Sequence, residues 1–265
     1  MLEISFIPAF KDNYIWLLTR GKRAFVVDPG DAAPVLARLE AGGLMLEGIL
    51  ITHHHADHQG GVAELKARWQ AEVYAPGNES ITGCSCPLSG GESIDVLGQK
   101  VTVMAVPGHT LGHLAYYAPG ALLCGDTLFG AGCGRLFEGT PAQMSASLDS
   151  IAALPGDTLI YCAHEYTEMN LRFALAVEPN NQALQARVAK VAALRAAGLP
   201  SVPLILAEEK ATNPFLRCHE AAVVEAGLQH AASCLLGHAA QQGADIEDRS
   251  KTAIFAAIRS WRNTF

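Results

Sequence analysis

Up to residue 166 the apolar positions fall in short runs, many of them β-branched, separated by glycine, proline and aspartate. Beyond it they recur at helical spacing among alanines. In the first part, residues 1–6, 14–18, 24–27, 48–51, 72–74, 101–106, 113–117, 121–124 and 158–162 read as strands. Residues 34–41, 62–69 and 144–154 carry apolar side chains three and four apart and read as helices. Gly42-Gly43 stops the first of these and Pro155-Gly156 the last. Strand and helix alternate, which predicts a layered α/β arrangement. Residues 77–99 are polar and glycine-rich without a clear period. After Tyr166, residues 169–177, 181–197, 220–229 and 252–261 predict helices, with Pro200, Pro203 and Pro214 breaking the segment between. This change of texture places a domain boundary near 165–170, dividing 1–166 from 167–265.

The densest chemistry lies between the strand at 48–51 and the helix at 62–69, in Thr52-His53-His54-His55-Ala56-Asp57-His58-Gln59-Gly60-Gly61. Imidazole and carboxylate together suit divalent metal ions such as Zn, Fe and Mn. His53 and His55 are two apart and share a side of an extended backbone, while His54 points away. Asp57 and His58 can serve a second metal from a loop. A surface histidine tract is the alternative, but the internal position, the interposed Asp57 and the glycine pair argue against it. Further candidates also leave strand ends: His109 after Pro107-Gly108, Asp126 after Gly125, and His164 after 158–162. Five histidines and two aspartates are too many for one tetrahedral ion and suit two. Asp28, in the turn Asp28-Pro29-Gly30-Asp31, reads equally as a turn former or as a partner of a ligand histidine. His113 reads as structural or supporting rather than as a ligand.

Composition narrows the classes. Half of the 265 residues are hydrophobic, enough for a sizeable core, and no apolar run reaches the ~20 residues of a membrane span. The first residues, Met1-Leu2-Glu3-Ile4-Ser5-Phe6, lack the pattern of a signal peptide. A net charge of −7 disfavours nucleic acid and anionic membranes as partners. Seven scattered cysteines read as reduced thiols of a cytoplasmic protein. Cys84-Ser85-Cys86 reads as loop thiols and Cys124 as a buried strand residue. Gly130-Ala131-Gly132-Cys133-Gly134-Arg135 reads as flexible backbone ending in a cation; no Lys-Ser/Thr follows to make it a nucleotide loop. From Arg249 onward the chain carries Arg249, Lys251, Arg259 and Arg262 and no acid, a local reversal of sign.

The order His53-x-His55-x-Asp57-His58, Gly108-His109, Gly125-Asp126, Ala163-His164 resembles the signature of the metallo-β-lactamase superfamily, and within it the glyoxalase II family, the hydroxyacylglutathione hydrolases. The resemblance runs from the stretch at 7–14 to that at 259–265. It implies an αββα sandwich with a C-terminal helical domain. It implies that His53, His55 and His109 hold one metal, that Asp57, His58 and His164 hold the other, and that Asp126 bridges. The two ions, Zn in the first place and Fe or Mn with the same donors, would share the hydroxide that attacks. Asp57 and Asp126 are then the catalytic carboxylates, and no Ser or Cys nucleophile is needed. The implied reaction is hydrolysis of S-D-lactoylglutathione to D-lactate and glutathione, the second step of methylglyoxal detoxification, by a monomer in the cytoplasm. Arg135, Tyr166, Arg259 and Arg262 match the positions that hold glutathione, whose carboxylates suit arginine. Phe137 stands where many members have tyrosine, so one hydroxyl contact to substrate is absent, and Arg262-Asn263 replaces a frequent Lys-Asp. A β-lactamase of the cysteine-ligand subclasses would have cysteine at 126. A flavodiiron protein would have a glutamate near His55 and a flavin domain. The alternative that keeps most of the pattern is a glutathione persulfide dioxygenase with a single iron, for which the second ligand set would be superfluous.

Overall fold

The computed structural model describes residues 2–237 and 248–265; Met1, with which the first expected strand opens, lies outside them. The chain starts with a meander, β1 (Glu3–Ala9), β2 (Asn13–Arg20) and β3 (Arg23–Val27). Helix α1 (Ala32–Gly42) then leads to β4 (Met45–Leu50), and the short α2 (Ala56–Gln59) and α3 (Val62–Trp69) lead to β5 (Glu72–Pro76) and β6 (Cys86–Leu88). These strands form one sheet in the order β1-β2-β3-β4-β5-β6, antiparallel at first and parallel from β3 onward. The second sheet contains β7 (Ser93–Val96), β8 (Gln99–Ala105), β9 (Leu114–Ala118) and β10 (Ala121–Gly125). A two-stranded ribbon, β11 (Leu128–Phe129) and β12 (Gly132–Cys133), and helix α4 (Pro141–Ala152) separate these from β13 (Leu159–Cys162). Helices α5 (Thr167–Val177) and α6 (Gln182–Ala196) follow, then β14 (Leu204–Ile205), α7 (Leu206–Thr212), a 3-10 turn (Pro214–Leu216), α8 (Ala221–Gly237) and α9 (Lys251–Thr264). The second sheet runs β14-β13-β10-β9-β8-β7, so the chain returns from its helical part to add an antiparallel strand beside β13.

Burial explains why the strands read as continuous apolar runs. On β2, Trp16 and Leu18 face the other sheet and join one core with Val101, Val103, Tyr116 and Leu122. The alternate residues Ile15 and Leu17 face the helices and pack with Val35 and Leu39 of α1 and Val62 and Leu65 of α3. Both faces are covered, so neither can be polar. This is the expected αββα sandwich. On the far side Met144, Leu148 and Ile151 of α4 belong to the inter-sheet core, as do Ile254, Phe255 and Ile258 of α9. A third cluster joins Leu171 and Ala174 of α5, Leu184 and Val191 of α6, and Ala131 of the ribbon.

Local signals set the helix ends. Asp31 accepts from Ala33 N to start α1, and Gly43, with φ 56°, ends it. Thr140 and Gln143 form a capping box at α4, with Pro141 in the first turn. The structure adds β6 and β7 inside the stretch 77–99 that shows no period, and β14 and α7 inside the proline-broken stretch. These elements are short, so periodicity has too few residues to register. No helix among the described residues is long and apolar enough to cross a membrane.

Candidate metal centre

The seven candidate ligands read from the sequence leave the ends of four different strands, β4, β8, β10 and β13, at one edge of the sandwich. The loop after β4 is shaped by its surroundings. Asp28, at the end of β3 with φ 52°, accepts from Thr52 N at 2.8 Å and Thr52 Oγ1 at 2.7 Å, and lies 3.0 Å from His58 Nδ1. Of its two readings the structure selects the partner of a histidine. A Cβ placed on Gly30 would lie 1.8 Å from Asp57 O, so the turn after β3 and the short helix α2 meet only through a glycine.

Seven side chains converge. His53 Nε2 and His109 Nε2 each lie 3.0 Å from His55 Nδ1. Asp57 Oδ2 lies 3.5 Å from His58 Nε2 and 3.6 Å from His164 Nε2. Asp126 stands between the two groups and divides its oxygens: Oδ2 is 3.4 Å from His109 Nε2, while Oδ1 is 3.5 Å from His58 Nε2 and 3.4 Å from His164 Nε2. His53, His58, His109, Asp126 and His164 are all buried.

The outward atoms are already engaged. His53 Nδ1 is 3.0 Å from Thr52 Oγ1, His109 Nδ1 is 2.8 Å from Arg135 O, and His164 Nδ1 is 2.9 Å from Asp12 Oδ1. Asn13 Nδ2 donates to Asp57 Oδ2 at 3.0 Å. Such outer partners fix which ring nitrogen faces inward, as around a bound metal. His58 Nε2 and Asp126 Oδ1 are buried with no hydrogen-bond partner. Orphaned buried polar atoms are costly, and a divalent cation between these two would satisfy both. His53-His55-His109 and Asp57-His58-His164 each bring their donor atoms within 4.8 Å of one another, so the residues present fit a divalent metal centre.

The electrostatics agree. Burial pushes His53, His55 and His109 down, towards the neutral ligand form. For His58 and His164 burial acts the same way, but the nearby carboxylates, Asp126 foremost, outweigh it and raise both. Burial would raise Asp57 and Asp126, yet the neighbouring imidazoles outweigh it and hold both carboxyls below the usual range. A buried anion, Asp126, and a half-buried one, Asp57, thus attract positive charge, which the neighbouring side chains supply only by protonating histidines.

His113 is fully buried, accepts from Asp126 N at 3.1 Å through Nε2, and stacks on His53 at 4.7 Å. It supports the set without joining it. His54 turns away and sits 2.7 Å from Glu138 Oε1. Asp12 and Asn13 were missed by sequence reasoning; between two strands they look like turn formers, and only the fold brings them to His164 and Asp57.

A cavity of about 250 Å³ adjoins the set, lined among others by Arg135, Tyr166, Arg259 and Arg262. The Tyr166 ring lies parallel to His164 at 4.7 Å, which places the cavity beside the candidate ligand set. Arg259 donates to Cys133 O at 3.1 Å and Asn263 Oδ1 at 2.9 Å, and Arg262 donates to Asn170 Oδ1 at 3.3 Å. Among the described residues no carboxylate pairs with either. Burial and the charge of Arg259 lower Arg262, so an anion entering the cavity would relieve both. Phe137 lies outside this lining, exposed, with its ring 5.3 Å from those of His55 and His109. A larger cavity, about 460 Å³, lies around Glu178 and Arg217, which pair with each other, and none of the seven residues lines it.

The expectation of flexible backbone from Gly130 to Arg135 is corrected. Residues 130–134 are buried, and the ribbon they form is bound by side chains from the helical part. Those partners lie far along the chain, so the glycine-rich segment alone cannot reveal them.

Residues 10–164 match the model of the metallo-beta-lactamase superfamily, and residues 165–265 match that of the hydroxyacylglutathione hydrolase C-terminus. The chain is 52% identical over its whole length, and the whole length of the relative, to a hydroxyacylglutathione hydrolase of Methylobacillus flagellatus, and 51% identical in the same way to one of Pseudomonas fluorescens. Among solved structures, the B3 metallo-beta-lactamase BLEG-1 is similar in fold, with a TM-score of 0.62 at 23% identity, covering 81% of this chain and 99% of the other. TTHA1623, solved in a di-iron-bound form, has a TM-score of 0.52 at 28% identity, covering 61% of this chain and 91% of the other.

Proposed function

Because this chain belongs to the hydroxyacylglutathione hydrolase family of the metallo-β-lactamase superfamily, we propose that it hydrolyses S-2-hydroxyacylglutathione thioesters, S-D-lactoylglutathione first among them, to the hydroxy acid and glutathione. The observation that carries the reading is the division of Asp126, one oxygen toward His109 and the other toward His58 and His164, beside a cationic cavity. We assign His53, His55 and His109 to one divalent ion, Asp57, His58 and His164 to a second, and Asp126 to both. The di-iron-bound TTHA1623 supports two ions, and the donor set suits Zn, Fe or Mn. Such ions, when bound, make water a nucleophile near neutral pH and polarise the carbonyl under attack.

The chain's own residues do the rest. Residues 1–166 carry the reaction and 167–265 much of the substrate grip. Arg135, Arg259 and Arg262 would hold the carboxylates of glutathione, and the ring of Tyr166 walls the path from that cavity to the ligand set. Phe137 would flank the acyl group beside His55 and His109. Asp57, oriented by Asn13, would take the proton of the attacking water. The C–S bond then breaks, a C–O bond forms, and the glutathione thiolate leaves and is protonated. Among the described residues the thiols of Cys133 and Cys124 are poorly suited to attack: burial raises Cys133, and it pushes Cys124 up to about 12. Free thiols at all six described cysteines support a reducing cytoplasm, and we take the enzyme to act there as a monomer.

The test is loss of thioester absorbance from S-D-lactoylglutathione, with metal content measured on the same sample. Turnover with two ions per chain is expected. Oxygen consumption with glutathione persulfide and one iron, without thioester hydrolysis, would overturn the reading in favour of a dioxygenase; the Asp57-His58-His164 set speaks against that outcome.

A further inference from the structure

One cluster of buried charge is unused by this reaction. Glu209 of α7 and Arg187 of α6 are fully buried and face each other as an ion pair. Arg187 Nη1 also donates to Thr212 Oγ1, and Glu208 Oε2 lies 3.5 Å from its Nε. Buried ion pairs are weak stabilisers, because the loss of hydration rivals the attraction and apolar side chains of the same volume often do as well. What this pair holds gives it another role.

Glu209 Oε2 accepts from Ala131 N at 2.9 Å and from Asn213 Nδ2 at 3.0 Å. Asn213 Nδ2 also reaches Phe129 O at 3.2 Å and Gly132 O at 3.0 Å, and Asn170 Nδ2 donates to Gly130 O at 3.1 Å. The turn of the β11–β12 ribbon is therefore bound at each residue by a side chain from beyond residue 166. Ala131 has φ 53°, a left-handed conformation that an alanine avoids unless its surroundings impose it.

The other end of the ribbon reaches the metal centre. Asp126 stands two residues before it. Gly134 packs so closely that a Cβ there would lie 2.0 Å from Asp126 O. Arg135 O orients His109, and Cys133 O accepts from Arg259. We propose that Glu209, held by Arg187 and Asn213, is a positioning residue: through the Ala131 turn it sets the register of Asp126, His109 and Arg135 relative to one another. The kinetic part of this inference rests on the thioester-hydrolase reading; the structural part does not.

Two double variants separate positioning from stability. Arg187→Met/Glu209→Gln removes both charges but keeps an amide oxygen to accept from Ala131 N. Arg187→Met/Glu209→Leu removes both charges and the acceptor. Compared with the first, the second is expected to show KM for S-D-lactoylglutathione at least tenfold higher, weaker zinc binding by metal-stripped protein, and at least hundredfold faster hydrogen exchange at the Ala131 amide, with Tm values within a few degrees. Equal exchange and equal zinc affinity in the two variants would overturn the proposal. So would changes that merely track a fall in Tm, or faster exchange with unchanged zinc affinity. If wild-type protein fails to hydrolyse the thioester, the functional reading falls, while exchange and zinc titration still decide the role of Glu209.

Discussion

Two polar clusters lie buried in this molecule and differ in one respect. The Arg187–Glu209–Asn213 cluster is nearly closed on itself: Glu209 spends its oxygens on Arg187, Ala131 and Asn213, and among its side chains only Arg187 Nε lacks a hydrogen-bond partner. The histidine–aspartate cluster is closed only on its outer side. Its outward nitrogens are held by Thr52, Asp28, Arg135 and Asp12, while His58 Nε2 and Asp126 Oδ1 face inward unsatisfied. Burial of polar atoms is common to both and so does not identify a site. The side on which hydrogen bonding fails does, because a fold that positions donors so firmly and leaves their inner atoms unpaired is built to receive something.

The sharpest way to break this contrast is Asp126→Ala. Removing the carboxylate that faces both ligand groups should lower kcat/KM at least about ten-thousandfold, ~5.5 kcal/mol, with loss of metal and little change in circular dichroism. Two ions retained at full occupancy in that variant would end the bridging assignment. Arg187→Leu tests the other cluster. It leaves a carboxylate buried without its cation and should cost about 3–5 kcal/mol, a fall in Tm on the order of 10 °C in thermal unfolding. An unchanged Tm would mean that this cluster is not the closed one. Arg262→Ala should act on neither cluster. It should raise KM for the glutathione thioester about 10- to 150-fold, corresponding to ~1.5–3 kcal/mol for a charge-assisted contact, and leave a short thioester without the tripeptide nearly untouched. Equal losses on both substrates would make Arg262 structural. The smallest effect is expected from Cys133→Ser in the cavity wall, where turnover should stay within about tenfold, ~1.4 kcal/mol. An acyl group trapped on Cys133 would refute attack by water.

Much of this was legible in the chain, for physical reasons. A strand buried on both faces announces itself as an apolar run, and a ligand that leaves its end beside glycine stands out, as His109 and Asp126 do. The grouping of the seven side chains was not legible from spacing, since His164 meets Asp57 only because β13 and β4 end at the same edge. It came from family resemblance; the structure brings the donor atoms of His53, His55 and His109 within 4.8 Å of one another, and likewise those of Asp57, His58 and His164. Asp28 stayed open between two roles because a turn former and a hydrogen-bond partner look alike until Thr52 and His58 are placed. The segment 130–135 was misjudged because glycines signal freedom locally, while Glu209, Asn213 and Asn170 remove it from a distance. β14, two residues long, carries no sequence signal at all.

That short strand bears on how the chain is made. During synthesis, β13 and the His164 that follows it emerge well before residues 204–205, which complete the sheet beside them. Until then β13 is a bare edge, and the inter-sheet core lacks Ile254, Phe255 and Ile258. A nascent or truncated chain ending near residue 166 would hold every histidine and aspartate of the metal centre, yet display an open strand and an uncovered apolar face. The boundary that divides the chain between two family models is therefore a poor place to cut it, and a ribosome paused there would expose a species prone to aggregate.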